Sequence, residues 1–318
     1  MTISSLQSKL DSYLQLRESM GGTSGRMKSE LQSFIDYLNL HGVFEPIRTH
    51  HAVDWACSNP ARGASRQFQL LSLARGFMTH LKASVPETDI PPTNLIAKSH
   101  RRNPYIFSTG EINLLLQEAY RLQPLRSLRR HTHETLFGLL ACTGIRVSEA
   151  INLSVSDVHL NVKPARLLVS NTKFGKSRWV PLHPTATEKL RQYAKLRREL
   201  RYEGYSDAFF VNERGEPVNY ATLKDTFHSI IRRVGISAQP GRARPCLHSF
   251  RHAFAVQRLK QWYSAGQDVE LLLPNLSVFL GHVDLTASYW YLSATPELLA
   301  LAGNRFENYA GRCPDEEE

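Results

Sequence analysis

The sequence predicts a mainly α-helical protein of the α+β class, with a helical N-terminal part and a mostly helical second part that carries a small antiparallel β-hairpin. Three observations carry this. Apolar residues recur at three- and four-residue spacing through most of the chain, one pair of short β-type runs stands near its middle, and a proline-rich stretch without such periodicity separates two helical regions. At 318 residues the chain can bury a sizeable core, and ordinary domain sizes favour two domains over one.

Leucines and Tyr13 place a first helix over Ser4–Met20, closed by Gly21-Gly22-Thr23-Ser24-Gly25. Lys28–Leu40 reads as a second, with Leu31, Phe34, Ile35 and Leu38 on one face, and a third lies near His51–Ser58, ahead of Pro60. Ser65–Ser84 gives a fourth, whose stripe is Phe68, Leu71, Ala74, Phe77, Met78 and Leu81. Residues 1–85 are therefore expected to form an all-helical domain. From 86 to 104 the chain carries Pro86, Pro91 and Pro92 and the cations Lys98, Arg101 and Arg102, a basic linker suited to following a phosphate backbone.

A second domain is expected over 105–311. It opens on the capping box Ser108…Glu111, and helices follow over Glu111–Leu122 and His131–Cys142, then a short one over Arg146–Leu153 beyond the Thr143-Gly144 turn. Arg166–Ser170 and Ser177–Leu182 read as two strands joined by a tip that bears Lys173 and Lys176. Beyond them come a basic helix over Thr187–Tyr202, a strand-like Phe209-Phe210-Val211, and helices over Tyr220–Val234 and Leu247–Trp262. The apolar run Val269–Leu280 is expected to break at Pro274. Gly281 then turns the chain into a short segment bearing Tyr289, Trp290 and Tyr291, and a last helix spans Pro296–Tyr309 before an acidic tail at 312–318.

Thirty-nine Lys and Arg against 29 Asp and Glu give a net charge of +10, and because the last four residues are acidic the body is more basic still. An anionic partner follows. Cysteines 57, 142, 246 and 313 form no CxxC pair and no metal-ligand spacing; Cys142 and Cys246 have apolar neighbours, read as reduced core thiols, and point to a reducing cytoplasm. The N-terminus lacks the basic start and apolar block of a signal peptide, and no run approaches the length of a membrane span, so neither export nor membrane insertion is expected.

Chemistry concentrates at four places in order: Thr143-Gly144-Ile145-Arg146-Val147-Ser148-Glu149, the lysine-tipped hairpin, His248-Ser249-Phe250-Arg251, and Leu280-Gly281-His282 with tyrosines behind it. Two arginines, two histidines and a phenol suit reaction at a phosphodiester. Guanidinium forks match two non-bridging oxygens, imidazoles move protons, and a phenol forms a covalent phosphoryl link whose energy is kept for resealing. Glu149, three residues past Arg146, can orient that guanidinium, and the spacing of His248 and Arg251 puts both on one helix face. Lys173 and Lys176 can reach a minor groove and protonate a leaving 5′ oxygen. Tyr289 and Tyr291 face nearly opposite ways on a helix, and spacing alone does not choose between them. His252 is expected to be helix surface or core, and Tyr263, Tyr289 and Trp290 to be packing aromatics. No carboxylate cluster, HExxH or phosphate-loop motif is present, so neither a metal nor another cofactor is expected.

These motifs resemble the tyrosine recombinase family, which includes lambda integrase, Cre and the Xer recombinases, and the resemblance covers both domains. It places the family's first arginine at Arg146, its HxxR motif at His248 and Arg251, its second histidine at His282, and its nucleophile, nine residues on, at Tyr291 rather than Tyr289. The hairpin lysine maps to Lys173, with Lys176 as the fallback. The resemblance implies that Tyr291 forms a 3′-phosphotyrosine, that Arg146, Arg251 and His282 hold the phosphate, that His248 assists proton transfer, and that Lys173 is the acid. It also implies a core-binding first domain that closes with the second into a C-shaped clamp on double-stranded DNA, a homo-tetramer or an assembly with sister recombinases, and action on the nucleoid in a prokaryotic cytoplasm. The long segment between Arg251 and His282 and the stretch after it are more similar to integrases of transposons and other mobile elements. Two alternatives use related features: a type IB topoisomerase, and a DNA-binding regulator that keeps the fold without the chemistry.

Overall fold

The computed structural model describes residues 4–21, 25–97, 103–170, 177–200, 206–238, 241–281, 289–293 and 297–303. The chain divides into two compact units, Met1–Arg101 and Arg102–Glu318, so the division falls inside the stretch expected to link two domains.

In the first unit, α1 (Ser4–Ser19), α2 (Gly25–Leu40), α3 (Thr49–Cys57) and α4 (Ala64–Leu81) turn their apolar stripes inward. Leu10, Leu31, Phe34, Leu38, Ala52, Leu70, Ala74, Phe77 and Met78 are completely buried. Each leucine, phenylalanine or methionine among them contributes about 1.5–3 kcal/mol of transfer free energy, which lets four short helices hold one another. The chain after α4 stays on this unit: Val85 and Ile96 pack against its core, and Arg75 donates to the carbonyls of Pro91 and Pro92 at 2.6 and 2.8 Å.

In the second unit, α5 (Thr109–Tyr120) starts at the expected capping box, with Glu111 N donating to Ser108 Oγ at 3.2 Å and Ser108 N to Glu111 Oε2 at 2.8 Å. It packs on α6 (Leu128–Thr143), and α7 (Val147–Ile151) follows after a turn. A three-stranded antiparallel sheet comes next, in the order β1 (Val158–His159), β2 (Arg166–Val169), β3 (Arg178–Pro181). Its register sets Leu167 opposite Val180 and Val169 opposite Arg178. The two-residue β1 is too short to show alternation, and the sequence reading lacks it.

Next come α8 (Pro184–Glu199), α9 (Tyr220–Arg233), α10 (Ser249–Ser264) and α11 (Val269–Leu280), followed by a 3-10 turn over Trp290–Ser293. Residues 297–303, part of the expected last helix, are helical. A main core gathers Phe107, Phe137, Phe227 and Phe250 among many aliphatics. A smaller separate cluster holds Phe254, Leu259, Leu273, Leu280 and Tyr291. No described helix is long and apolar enough to cross a membrane.

Several expectations need correction. Val269–Leu280 is one continuous helix with Pro274 inside it. The missing N–H costs one hydrogen bond, and burial of Leu273, Leu276 and Leu280 along the same helix offsets it. Phe209-Phe210-Val211 is not a strand. The run is buried, but Phe209 N donates to Leu153 O at 2.7 Å, Val211 N to Tyr193 Oη at 3.2 Å, and among the described residues its pairings are isolated bridges, of Ser154 with Ala208 and of Val211 with Pro217. Cys142 and Cys246, like Cys57, are free cysteines at exposed positions rather than core ones, although burial around the Cys142 sulfur pushes its thiol up to about 11. Leu139, Leu140 and Thr143 take the buried side of α6 around Cys142. Tyr289 is 56% exposed and does not serve as core packing, whereas Tyr263 packs on the smaller cluster.

Candidate active site

Glycine in the left-handed region ends two helices here. Gly144, with φ of 63°, caps α6, and Gly281, with φ of 69°, caps α11. Neither position admits a side chain: a Cβ on Gly144 would lie 2.6 Å from the Phe254 ring, and one on Gly281 would lie 2.7 Å from the Arg178 guanidinium. The carbonyls exposed by these endings hold the arginines.

Three successive carbonyls at the end of α11 each accept a different guanidinium. Phe279 O accepts from Arg178 Nε at 2.9 Å, Leu280 O from Arg251 Nη2 at 2.8 Å, and Gly281 O from Arg146 Nη2 at 2.8 Å. Arg251 Nη1 donates in addition to Gly144 O at 2.9 Å. The last turn of a helix carries the negative end of its dipole, so cations are favoured there. Helix termini drawn from α6 and α11 thus place three positive groups together.

Glu149 is the counter-charge. Its Oε1 accepts from Arg146 Nη1 at 2.8 Å and from Arg178 Nη1 at 3.1 Å, and its Oε2 accepts from Arg178 Nη2 and from the Arg146 amide at 2.8 and 2.9 Å. Arg146 is the N-cap residue of α7, so the carboxylate satisfies a helix-start N–H while it orients the guanidinium, as expected. Burial alone would push the Glu149 carboxyl up, but the hydrogen bonds and charges of Arg178 and Arg146 hold it below the usual carboxylate range. Against this one carboxylate stand three guanidiniums, and two positive charges stay uncancelled among the four groups. Arg251, 2% exposed, is brought down to about 10 by burial and then by the like charge of Arg146. Burial and the like charge beside it destabilise its cation, a penalty that a bound anion would relieve.

The phenol lies beside them. Tyr291 is 2% exposed, its Oη stands 3.1 Å from His252 Nδ1, and a negative charge on it would stabilise the Arg251 cation. His248, whose backbone forms the N-cap of α10, is exposed at its surface and meets His252 edge to face with ring centroids 4.7 Å apart. The described residues thus include Arg146, Glu149, His248, Arg251 and Tyr291 from the expected set and bring them together. Lys173, Lys176 and His282 lie outside the described residues, as do Lys98, Arg101 and Arg102. Among the described residues, no group of three His, Cys, Asp or Glu side chains is placed to hold a metal ion.

Residues 108–297, more than half of the chain, match the phage integrase family. The chain belongs to that family. It is a tyrosine recombinase by descent, and its similarities run the same way. It is 34% identical over 312 residues to the protein named "Putative integrase/recombinase y4rB" of Sinorhizobium fredii, covering 96% of this chain and 98% of the relative. Its fold resembles that of the XerH site-specific recombinase bound to palindromic difH substrate, with a TM-score of 0.66, 19% identity, and coverage of 87% of this chain and 78% of that one. It is equally similar to the Tn1549 transposon integrase in complex with transposon right end DNA, with a TM-score of 0.66, 15% identity, and coverage of 98% and 100%.

Two members of this recombinase's cluster escape the sequence reading. Arg178 shares the inward face of β3 with buried Val180, and a cation on the buried face of a strand is itself a signal, because burial of an unpaired charge is too costly to persist. His252 is in the core, as one of the two expected alternatives, but its contact with Tyr291 crosses 39 positions of sequence, and no periodicity announces it.

Proposed function

We propose that the protein is a site-specific recombinase that cleaves and rejoins double-stranded DNA through a 3′-phosphotyrosine at Tyr291, in the integration, excision or transposition of a mobile element. The observation that supports this most is the set of three guanidiniums on the end of α11, with surplus positive charge beside the Tyr291 phenol. Arg146 and Arg251, with His282, hold the scissile phosphate and offset the charge that builds on it in the transition state. Tyr291 attacks phosphorus, His248 assists proton transfer, and Lys173, or Lys176 in its place, protonates the 5′ oxygen. Glu149 keeps Arg146 in register.

The partner is duplex DNA carrying a recombination site, with Lys98, Arg101 and Arg102 following the backbone. The net charge of +10 supports it, as does the likeness to recombinases solved on DNA. Synapsis would join four copies, or this chain with sister recombinases, on the nucleoid in a prokaryotic cytoplasm.

Trapping on a suicide duplex tests the reading. The substrate comes from DNA flanking the gene and is nicked so that the 5′ fragment diffuses away. A covalent band in EDTA, kept in Tyr289→Phe and lost in Tyr291→Phe, is expected. Its loss in Tyr289→Phe alone would reassign the nucleophile. Relaxation of supercoils on DNA of any sequence would favour a type IB topoisomerase, and tight binding without an adduct would favour a regulator.

A further inference from the structure

One turn into α10 from His248 stands a second imidazole that none of the roles above employs. His252 is 7% exposed, its Nδ1 is within hydrogen-bond distance of Tyr291 Oη at 3.1 Å, and the two rings lie with centroids 5.6 Å apart. Immediately before it in the helix is Arg251, whose cation a negative charge on the same phenol would stabilise. A phenol titrates near 10, so at neutral pH it needs an acceptor for its proton as it attacks.

We propose that His252 is a catalytic residue, the acceptor of the Tyr291 proton in cleavage and its donor in rejoining; the proposal rests on Tyr291 being the nucleophile. The tautomer required carries its proton on Nε2 and presents Nδ1 as the acceptor. In cleavage the Tyr291 Oη–phosphorus bond forms and the phenolic proton passes to Nδ1. The bond from phosphorus to the 5′ oxygen breaks with its electron pair on that oxygen, which takes a proton from the hairpin lysine. One proton is gained and one given, so the site's total is unchanged. Rejoining runs the same transfers backwards, and the phenol recovers its proton from His252.

Two features of the surroundings suit this role. Burial removes water that would compete for the phenolic proton and strengthens the interaction of the forming phenolate with Arg251. The same burial makes a protonated His252 costly next to Arg251, until a phosphate held by Arg146 and Arg251 brings negative charge to the cluster. Proton transfer is thereby tied to the presence of substrate.

The test uses the full chain and the suicide duplex under single-turnover conditions. His252→Asn keeps a polar atom near the Nδ1 position without its basicity, and it is expected to cut about 100-fold more slowly while binding DNA as the wild type does. Replacing Tyr291 by 3,5-difluorotyrosine, an acidic phenol that needs less help, should return about tenfold of that rate in His252→Asn and little in the wild type. Cleavage by His252→Asn within about threefold of wild type, or a loss the fluorinated phenol does not relieve, overturns the proposal. Should Asn not fold at this buried position, His252→Gln is read in the same way. A wild type that binds the duplex and yields no Tyr291 adduct fails the recombinase reading itself, whereas equal adducts from wild type and variant fail only the role of His252.

Discussion

Arg178 grips both carboxylate oxygens of Glu149, at 3.1 and 2.8 Å, and does so almost out of water. Because the side chains are 12% and 6% exposed, the pair escapes most of the solvent screening that makes surface ion pairs weak. Removing Arg178 takes away two of the four hydrogen bonds that the buried Glu149 carboxylate accepts and leaves Arg146 as its remaining counter-charge. Arg178→Ala is therefore expected to destabilise the protein by roughly 3 kcal/mol, with Arg178→Lys intermediate because an ammonium cannot reproduce the two-pronged contact. Denaturant midpoints of the three proteins check it.

Glu149 makes the stability of this region pH-dependent. Its folded carboxyl titrates below the ordinary value of 4.5, so its contribution is fully present above that pH and is lost as pH falls through the folded pKa. Melting curves of wild type and Glu149→Gln should stand furthest apart at neutral pH and converge below about pH 4.5. A gap independent of pH would show that the charge on Glu149 is not what matters.

Gly144→Ala combines two costs, the left-handed backbone and a Cβ at 2.6 Å from Phe254. A loss of roughly 2–4 kcal/mol is expected from strain and overpacking together. Because the Gly144 carbonyl also holds Arg251, phosphate-dependent stabilisation should weaken with it, which melting temperatures with and without phosphate would reveal.

The tyrosines should separate cleanly. Tyr289 is exposed, and Tyr289→Phe is expected within about 0.5 kcal/mol of wild type with cleavage intact. Tyr291→Phe removes the hydroxyl that meets His252, at a cost of about 1 kcal/mol, and should abolish covalent adducts. Urea titrations alongside the trapping assay measure both.

Much of this site was legible because its parts announce themselves locally. The Thr143-Gly144 turn, the spacing of His248 and Arg251 and the Leu280-Gly281 ending are short-range patterns, and the helices followed from apolar periodicity. Arg178 was not found, because its importance comes from β3 lying against the end of α11, a contact between residues 101 positions apart. Pro274 misled for a related reason: a local rule about proline was overruled by the burial of Leu273, Leu276 and Leu280. Tyr289 and Tyr291 were separated by resemblance rather than periodicity, and the backbone now gives the physical distinction, one side chain outward and the other in the core.

The three arginines are anchored to how α11 finishes and not to how it begins. Insertions or deletions around Ala265–Gln267, upstream of the Asp268 cap, leave Phe279, Leu280 and Gly281 in phase with Arg178, Arg251 and Arg146, whereas a single residue gained or lost in the last turn dephases all three together. Related chains are therefore free to drift in length ahead of this helix, and an alignment anchored on the helix's final turn keeps the reacting residues matched across such gaps.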